Sequence, residues 1–224
     1  MKVLIFDSGP LINFSMNGLL YILEELKKNF DGKFIITKDV KTEVLDRPIK
    51  IQRFELEALR IQRLIDNKVL ELPSSLNINE SDLNKKTFDL MKSANNLLEN
   101  KKKKIKIVSE AEISCLALSE ILNKKNIENI IAIDERTTRL LSEAPQELEK
   151  IISRKMHFRV HFSSKDFSKF EKFKFIRSPE IVYAAHKKDL LKIKDSRALE
   201  ATIYATKFKG SSISWDEIKI LKKL

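Results

Sequence analysis

The chain has almost no cysteine: Cys115 is the only one in 224 residues. That excludes an internal disulfide framework and any Cys-based zinc cage, and it fits a reducing cytoplasm. Its neighbours Ile113, Leu116 and Leu118 place it on a core helix, where a free Cys acts as a small apolar residue. Glycine and proline are also scarce, with four and five. So few breakers argue against a loop-rich or disordered chain. No apolar run approaches the ~20 residues needed to span a bilayer. The N-terminal run Val3–Phe6 stops at Asp7, which is not the pattern of a signal peptide. The expectation is a soluble, cytoplasmic protein.

What is present is a mixed, charged, foldable chain. Apolar residues make up 42%, enough for a real core, and the length suits one large domain or a domain with an appendage. Net charge is +11 and unevenly placed. Residues 1–150 hold 25 Lys and Arg against 24 Asp and Glu; residues 151–224 hold 18 against 8. A basic excess confined to the C-terminal part suggests a polyanionic partner, most simply nucleic acid. A solvated Lys-rich surface gives the same count, and the run Lys101–Lys104 reads as a solvated loop.

The N-terminal part alternates β and α patterns. Residues 2–6 and 34–36 are short apolar strands, and 130–133 is a third. Ser8-Gly9-Pro10 turns the chain into a helix. Asp39 is placed to cap a short helix carrying Glu43, ended by Pro48. Residues 50–65 and 80–99 are amphipathic. Ile105–Val108 reads as strand-like, and Ser109 opens a helix to about Leu122. This order predicts an α/β fold with a parallel sheet flanked by helices over residues 1–150. Residues 151–224 form a basic, mainly helical extension. In it, His157–Phe162 alternates like a half-exposed strand, and helices are expected near 178–191, 196–208 and 214–223. Gly210 is placed to stop the second of these, and Ser214-Trp-Asp-Glu217 is a capping box opening the third.

Four acids stand out: Asp7, Glu43, Glu112 and Asp134. Asp7 and Asp134 each close an apolar run, where α/β proteins place ligands. Each also has an ordinary reading, as a helix N-cap, as a surface Glu at position 43, or as the capping-box partner of Ser109 at position 112. Carboxylates gathered at one sheet edge repel unless a hard cation bridges them, which suggests Mg²⁺ or Mn²⁺ and phosphate chemistry. His157 and His161 are four apart in a strand-like stretch, so no ligand role is read into them. Trp215 and the Phe167–Phe175 series read as core packing rather than as a base-stacking surface.

Together, Ile5-Phe-Asp-Ser-Gly-Pro-Leu-Ile12, Thr42-Glu43, Ser109-Glu-Ala-Glu-Ile-Ser-Cys-Leu-Ala-Leu118 and Ile133-Asp-Glu-Arg136 resemble the PIN-domain nuclease family over roughly residues 1–145. The resemblance implies a metal-dependent endoribonuclease whose catalytic and metal ligands are Asp7, Glu43, Glu112 and Asp134. Glu135 stands where many relatives have a second Asp. RNA is the implied partner. The family includes toxin nucleases, so an antitoxin-like protein is another, and the C-terminal helices are candidates to form a homodimer. The rival reading keeps the fold without the chemistry, as a non-catalytic module that binds RNA or protein. A phosphatase with a nucleophilic aspartate usually needs a second Asp two residues after the first, and Gly9 stands there.

Overall fold

The computed structural model describes residues 1–223. Its strands and helices run β1 (Lys2–Phe6), α1 (Ser8–Met16), α2 (Tyr21–Lys28), β2 (Gly32–Ile35), α3 (Lys38–Lys41), α4 (Glu55–Asp66), α5 (Glu80–Asn95), β3 (Leu98–Asn100), β4 (Lys103–Lys104) and α6 (Glu110–Lys124). They continue with β5 (Glu128–Ala132), α7 (Arg136–Glu143), α8 (Leu148–Met156), β6 (His161–Phe162), β7 (Phe175–Ile176), α9 (Ser178–Lys187), α10 (Ala198–Phe208) and α11 (Trp215–Leu221). The fold is α/β. Its main sheet is all parallel, in the order β2-β1-β5-β7, with helices around it.

This order creates the place where a ligand can sit. From β1 the chain steps to β2 on one side, then returns past it to β5 and β7 on the other. The connections diverge at the carboxyl ends of β1 and β5, and diverging connections leave a crevice there. The ladder Phe6↔Ala132 and the bond from the Asp7 amide to the Ala132 carbonyl, at 2.9 Å, bring Asp7 and Asp134 to that same edge.

The central helix is α6. Ala111, Ile113–Ser119 and Leu122 are buried, so it is apolar on nearly every face, as a helix enclosed by neighbours must be. It packs between β1 and α5, which turns Leu83, Leu90 and Ala94 inward. Each such Leu or Ile contributes about 1.5–3 kcal/mol by leaving water. Cys115 sits within this layer, fully buried, its thiol pointing to the Phe6 carbonyl at 3.7 Å. Burial and the nearby carboxylates push that thiol well above its usual range, which leaves it a packed, neutral group.

The structure departs from the sequence reading in four local places. Lys101 and Lys102 hold φ of 45° and 64°, forming the tight turn of a hairpin between β3 and β4. The lysine run is therefore half turn and half strand, while Ile105–Val108 is irregular. His157 ends α8 in a left-handed conformation, φ 58°, so the expected strand shrinks to His161–Phe162. Thr37, not Asp39, caps α3: its hydroxyl accepts from the Val40 amide at 3.2 Å. Lastly, the chain after residue 150 adds β7 to the main sheet beside β5. The shift at residue 150 is one of composition rather than of packing.

Candidate carboxylate site

Asp7 is the centre of the site. It ends β1 and caps α1, with Oδ2 accepting from the Gly9 amide at 3.3 Å. It is 2% exposed, and its Oδ1 is buried with no hydrogen-bond partner. Burial raises its pKa most, and the negative charges of Glu112 and Glu43 add to this. The amides of Ser8 and Gly9 offset only part, so the carboxyl is pushed up to about 7.

Glu112 reaches the site from the first turn of α6. Ser109 and Glu112 form a reciprocal capping box, with the Ser109 amide on Glu112 Oε2 at 3.0 Å and the Glu112 amide on Ser109 Oγ at 3.2 Å. The same Oε2 accepts from the Thr138 hydroxyl at 2.7 Å. Capping and site membership therefore coexist in one side chain. Burial raises its pKa, Thr138 and Ser109 lower it, and the charges of Glu135 and Glu43 raise it again; the net shift is upward.

Glu43 lies half-buried on a π turn, Thr42–Asp46, that widens the end of α3. Such turns are rare and recur at functional sites. Its negative charge adds a small upward push to the pKa of Asp7, Glu112 and Asp39 alike. Asp39 is an acid the sequence reading used only as a cap. Burial raises its pKa, followed by the charge of Glu110; the Ser114 hydroxyl counters, and Glu43 adds a smaller upward push. The signal in the sequence was its spacing, one helical turn before Glu43.

Asp134 behaves differently. It is 3% exposed and heavily bonded: Oδ1 accepts from the Ser178 amide at 2.9 Å, while Oδ2 accepts from the Ser178 hydroxyl at 2.7 Å and from Asn13 Nδ2 at 3.2 Å. A Cβ on Gly9 would lie 3.4 Å from Asp7 Oδ2 and 3.6 Å from the Asp134 Cβ, so the two acids flank Gly9. Asp134 is thus beside the site, but its carboxylate braces the C-terminal segment. Glu135 caps α7 through the Thr138 amide, at 3.0 Å, and pairs with Lys155 at 3.2 Å. Thr138, Asn13 and Ser178 were not legible as site residues, because their partners lie 26, 121 and 44 positions away.

The donor set is all hard oxygen, and Asp7 offers a buried oxygen with nothing attached. Both features fit a divalent cation. Among the described residues, no three His, Cys, Asp or Glu side chains stand close enough to share an ion. His161 lies elsewhere, facing Glu149 at 3.6 Å on the surface. Two cavities are lined by other side chains. One of about 620 Å³ is lined by α8 and residues 159–167, and one of about 480 Å³ holds Arg136, Arg139 and Arg177. Among the described residues, no helix is long and apolar enough to cross a membrane.

No protein-family model matches this chain, no curated protein matches it, and no solved structure matches it.

Proposed function

We propose that the carboxylate notch at the β1–β5 edge is the centre of a Mg²⁺- or Mn²⁺-dependent endoribonuclease of the PIN-domain kind. The observation that carries this reading is the unpartnered, buried Oδ1 of Asp7, with the charges of Glu112 and Glu43 directed at it. An isolated carboxylate in such a place is costly unless it is protonated or meets a cation. Asp7, Glu43 and Glu112 would hold the ion once their side chains draw together around it, since no three acids among the described residues already stand close enough to share one. When bound, it supplies an acidified water and positive charge against the scissile phosphodiester.

The remaining groups have positioning roles. Thr138 and the Ser109 amide fix Glu112 through Oε2. Asp134, which the resemblance makes a fourth ligand, would act as a brace that holds Asn13 and Ser178. Arg136, exposed at the start of α7, and the C-terminal lysines would contact backbone phosphates.

The test is cleavage of an end-labelled single-stranded RNA by the whole protein, with Mn²⁺ or Mg²⁺ against chelator. Metal-dependent cleavage that Asp7→Asn removes is the expected result. The spacing of the carboxylates favours one alternative, a non-catalytic RNA- or protein-binding module. Absence of metal-dependent cleavage, or cleavage unchanged by Asp7→Asn, would favour that module.

A further inference from the structure

Phe6, Phe14, Phe34 and Phe170 are fully buried, while Phe54, Phe88, Phe158, Phe208 and Trp215 are exposed. Of these five, Phe208 and Trp215 share a ring cluster. Phe208 is 71% exposed and Trp215 53% exposed. Phe208 closes α10, Trp215 opens α11, and Tyr204 lies one turn before Phe208. Their rings form one group: Tyr204–Trp215 centroids are 5.5 Å apart, Phe208–Trp215 6.1 Å, and Tyr204–Phe208 6.4 Å with planes at 27°. Lys207 Nζ sits 4.7 Å from the Trp215 ring centre and donates to the Ile213 carbonyl.

An exposed cluster of apolar rings is costly in water and marks a contact surface. Its surroundings choose the kind of partner. Residues 204–223 carry five lysines against two acids; Lys219 pairs with Asp216 and Lys222 with Glu200, while Lys207 lies over the Trp215 ring. Flat rings beside cations suit a ligand that alternates a flat face with a negative charge, which describes an unpaired nucleotide chain. Bases in a duplex hide those faces in their own stack.

The platform is also tied to the carboxylate edge. Asn13 donates to both Asp134 Oδ2 and the Thr206 carbonyl, the latter at 2.8 Å and two residues before Phe208. Ser212, in the loop between Phe208 and Trp215, donates to the Asp134 carbonyl from its amide at 3.2 Å and its hydroxyl at 2.6 Å.

We infer that Tyr204, Phe208 and Trp215, with Lys207, form a stacking platform for unpaired nucleobases of single-stranded RNA beside the carboxylate edge. This rests on the nuclease reading for its purpose, but not for its test. Trp215 is the only tryptophan, so its emission reports on this platform alone. The whole protein in chelator would be titrated with an oligouridylate of about 12 nucleotides, within the span such sites cover. A duplex of equal length would be the comparison, across a salt series.

Saturable quenching by the single strand, weakened by salt and absent with duplex, is expected. Phe208→Ala should raise the dissociation constant about fivefold or more, since a lost base stack commonly costs that much. Phe208 is exposed, so an unchanged thermal melt would confirm that the variant folds. No quenching, equal quenching by duplex, or an unchanged constant for Phe208→Ala would overturn the inference. So would a Trp215 signal that follows protein concentration without RNA, together with dimer in sedimentation, which would assign the patch to a second copy of the chain. Quenching in chelator without metal-dependent cleavage in the parallel assay would sink the nuclease reading alone.

Discussion

Ser178 grips Asp134 twice, with its amide on Oδ1 at 2.9 Å and its hydroxyl on Oδ2 at 2.7 Å, although 44 residues separate them. Both residues are buried, at 0% and 3% exposure. The pair joins the end of β5 to the start of α9, so the basic C-terminal segment is fastened at the edge where Asp7 lies. Ser178→Ala loses one hydrogen bond to a charged acceptor, about 1.5–3 kcal/mol. Asp134→Ala should cost more, because it strands the Ser178 amide in the interior and takes from Asn13 Nδ2 one of its two acceptors. Urea unfolding midpoints would read both, and an unchanged midpoint for Ser178→Ala would show that the grip contributes nothing.

The same fastening bears on truncation. Removing residues 151–224 takes away β7, exposes the edge of β5, and strips Asp134 of its Ser178 donors and Asn13 of the Thr206 carbonyl. The shortened chain should be insoluble, or should lack a cooperative melt. A soluble 1–150 fragment with a sharp thermal transition would show that the basic segment is an independent appendage after all.

Asp7 makes stability depend on pH in the direction opposite to a salt-bridged aspartate. An unfolded Asp releases its proton near 3.8, while the folded one holds it to about 7. As pH rises through this window the unfolded state gives up a proton that the folded state keeps, so stability falls and then levels off above 7. Below about 4 both states are protonated and the penalty disappears. In metal-free buffer, Asp7→Asn should therefore melt several degrees above wild type at pH 8 and nearly level with it at pH 4. Parallel melting curves across that range would argue against a buried, unpaired carboxylate.

Metal should reverse the ranking. A cation that binds only the folded state stabilises it by mass action. Mn²⁺ should raise the melting temperature of wild type at pH 7.5 but not that of Asp7→Asn. Thr138→Val should keep a smaller rise, because Glu112 loses the hydroxyl that holds Oε2. Losing one outer support commonly lowers metal affinity by about 10–100-fold. An identical Mn²⁺ titration for wild type and Thr138→Val would remove Thr138 from the site.

Much of the local structure follows from residue order alone. Val3–Phe6 and Ile130–Ile133 are apolar runs closed by acids, and β1 and β5 lie there. Ser109 with Glu112 and Ser214 with Glu217 form the capping boxes their spacing implies. Gly210, at φ 111°, follows α10 where a left-handed stop was expected. Such features rest on contacts within a few residues, so pattern and propensity suffice to find them. The β/α alternation was enough for an α/β fold with a parallel sheet.

What needed tertiary structure was every pairing across long sequence separation. Phe175–Ile176 is too short to signal a strand, yet β5 recruits it as the edge of the main sheet. Lys101 and Lys102 take positive φ because the chain must reverse between β3 and β4, a demand their side chains do not announce. Four acids were visible, but their division of labour was not. Asp134 meets Ser178 and becomes a brace, Glu112 meets Thr138, and Asp7 keeps an oxygen with no partner. Phe208 and Trp215 are apolar by composition, and only the packing of α10 and α11 left them facing water. Which neighbour satisfies a buried polar atom, and which apolar face stays uncovered, is set by what the folded chain brings alongside, not by the few residues on either side.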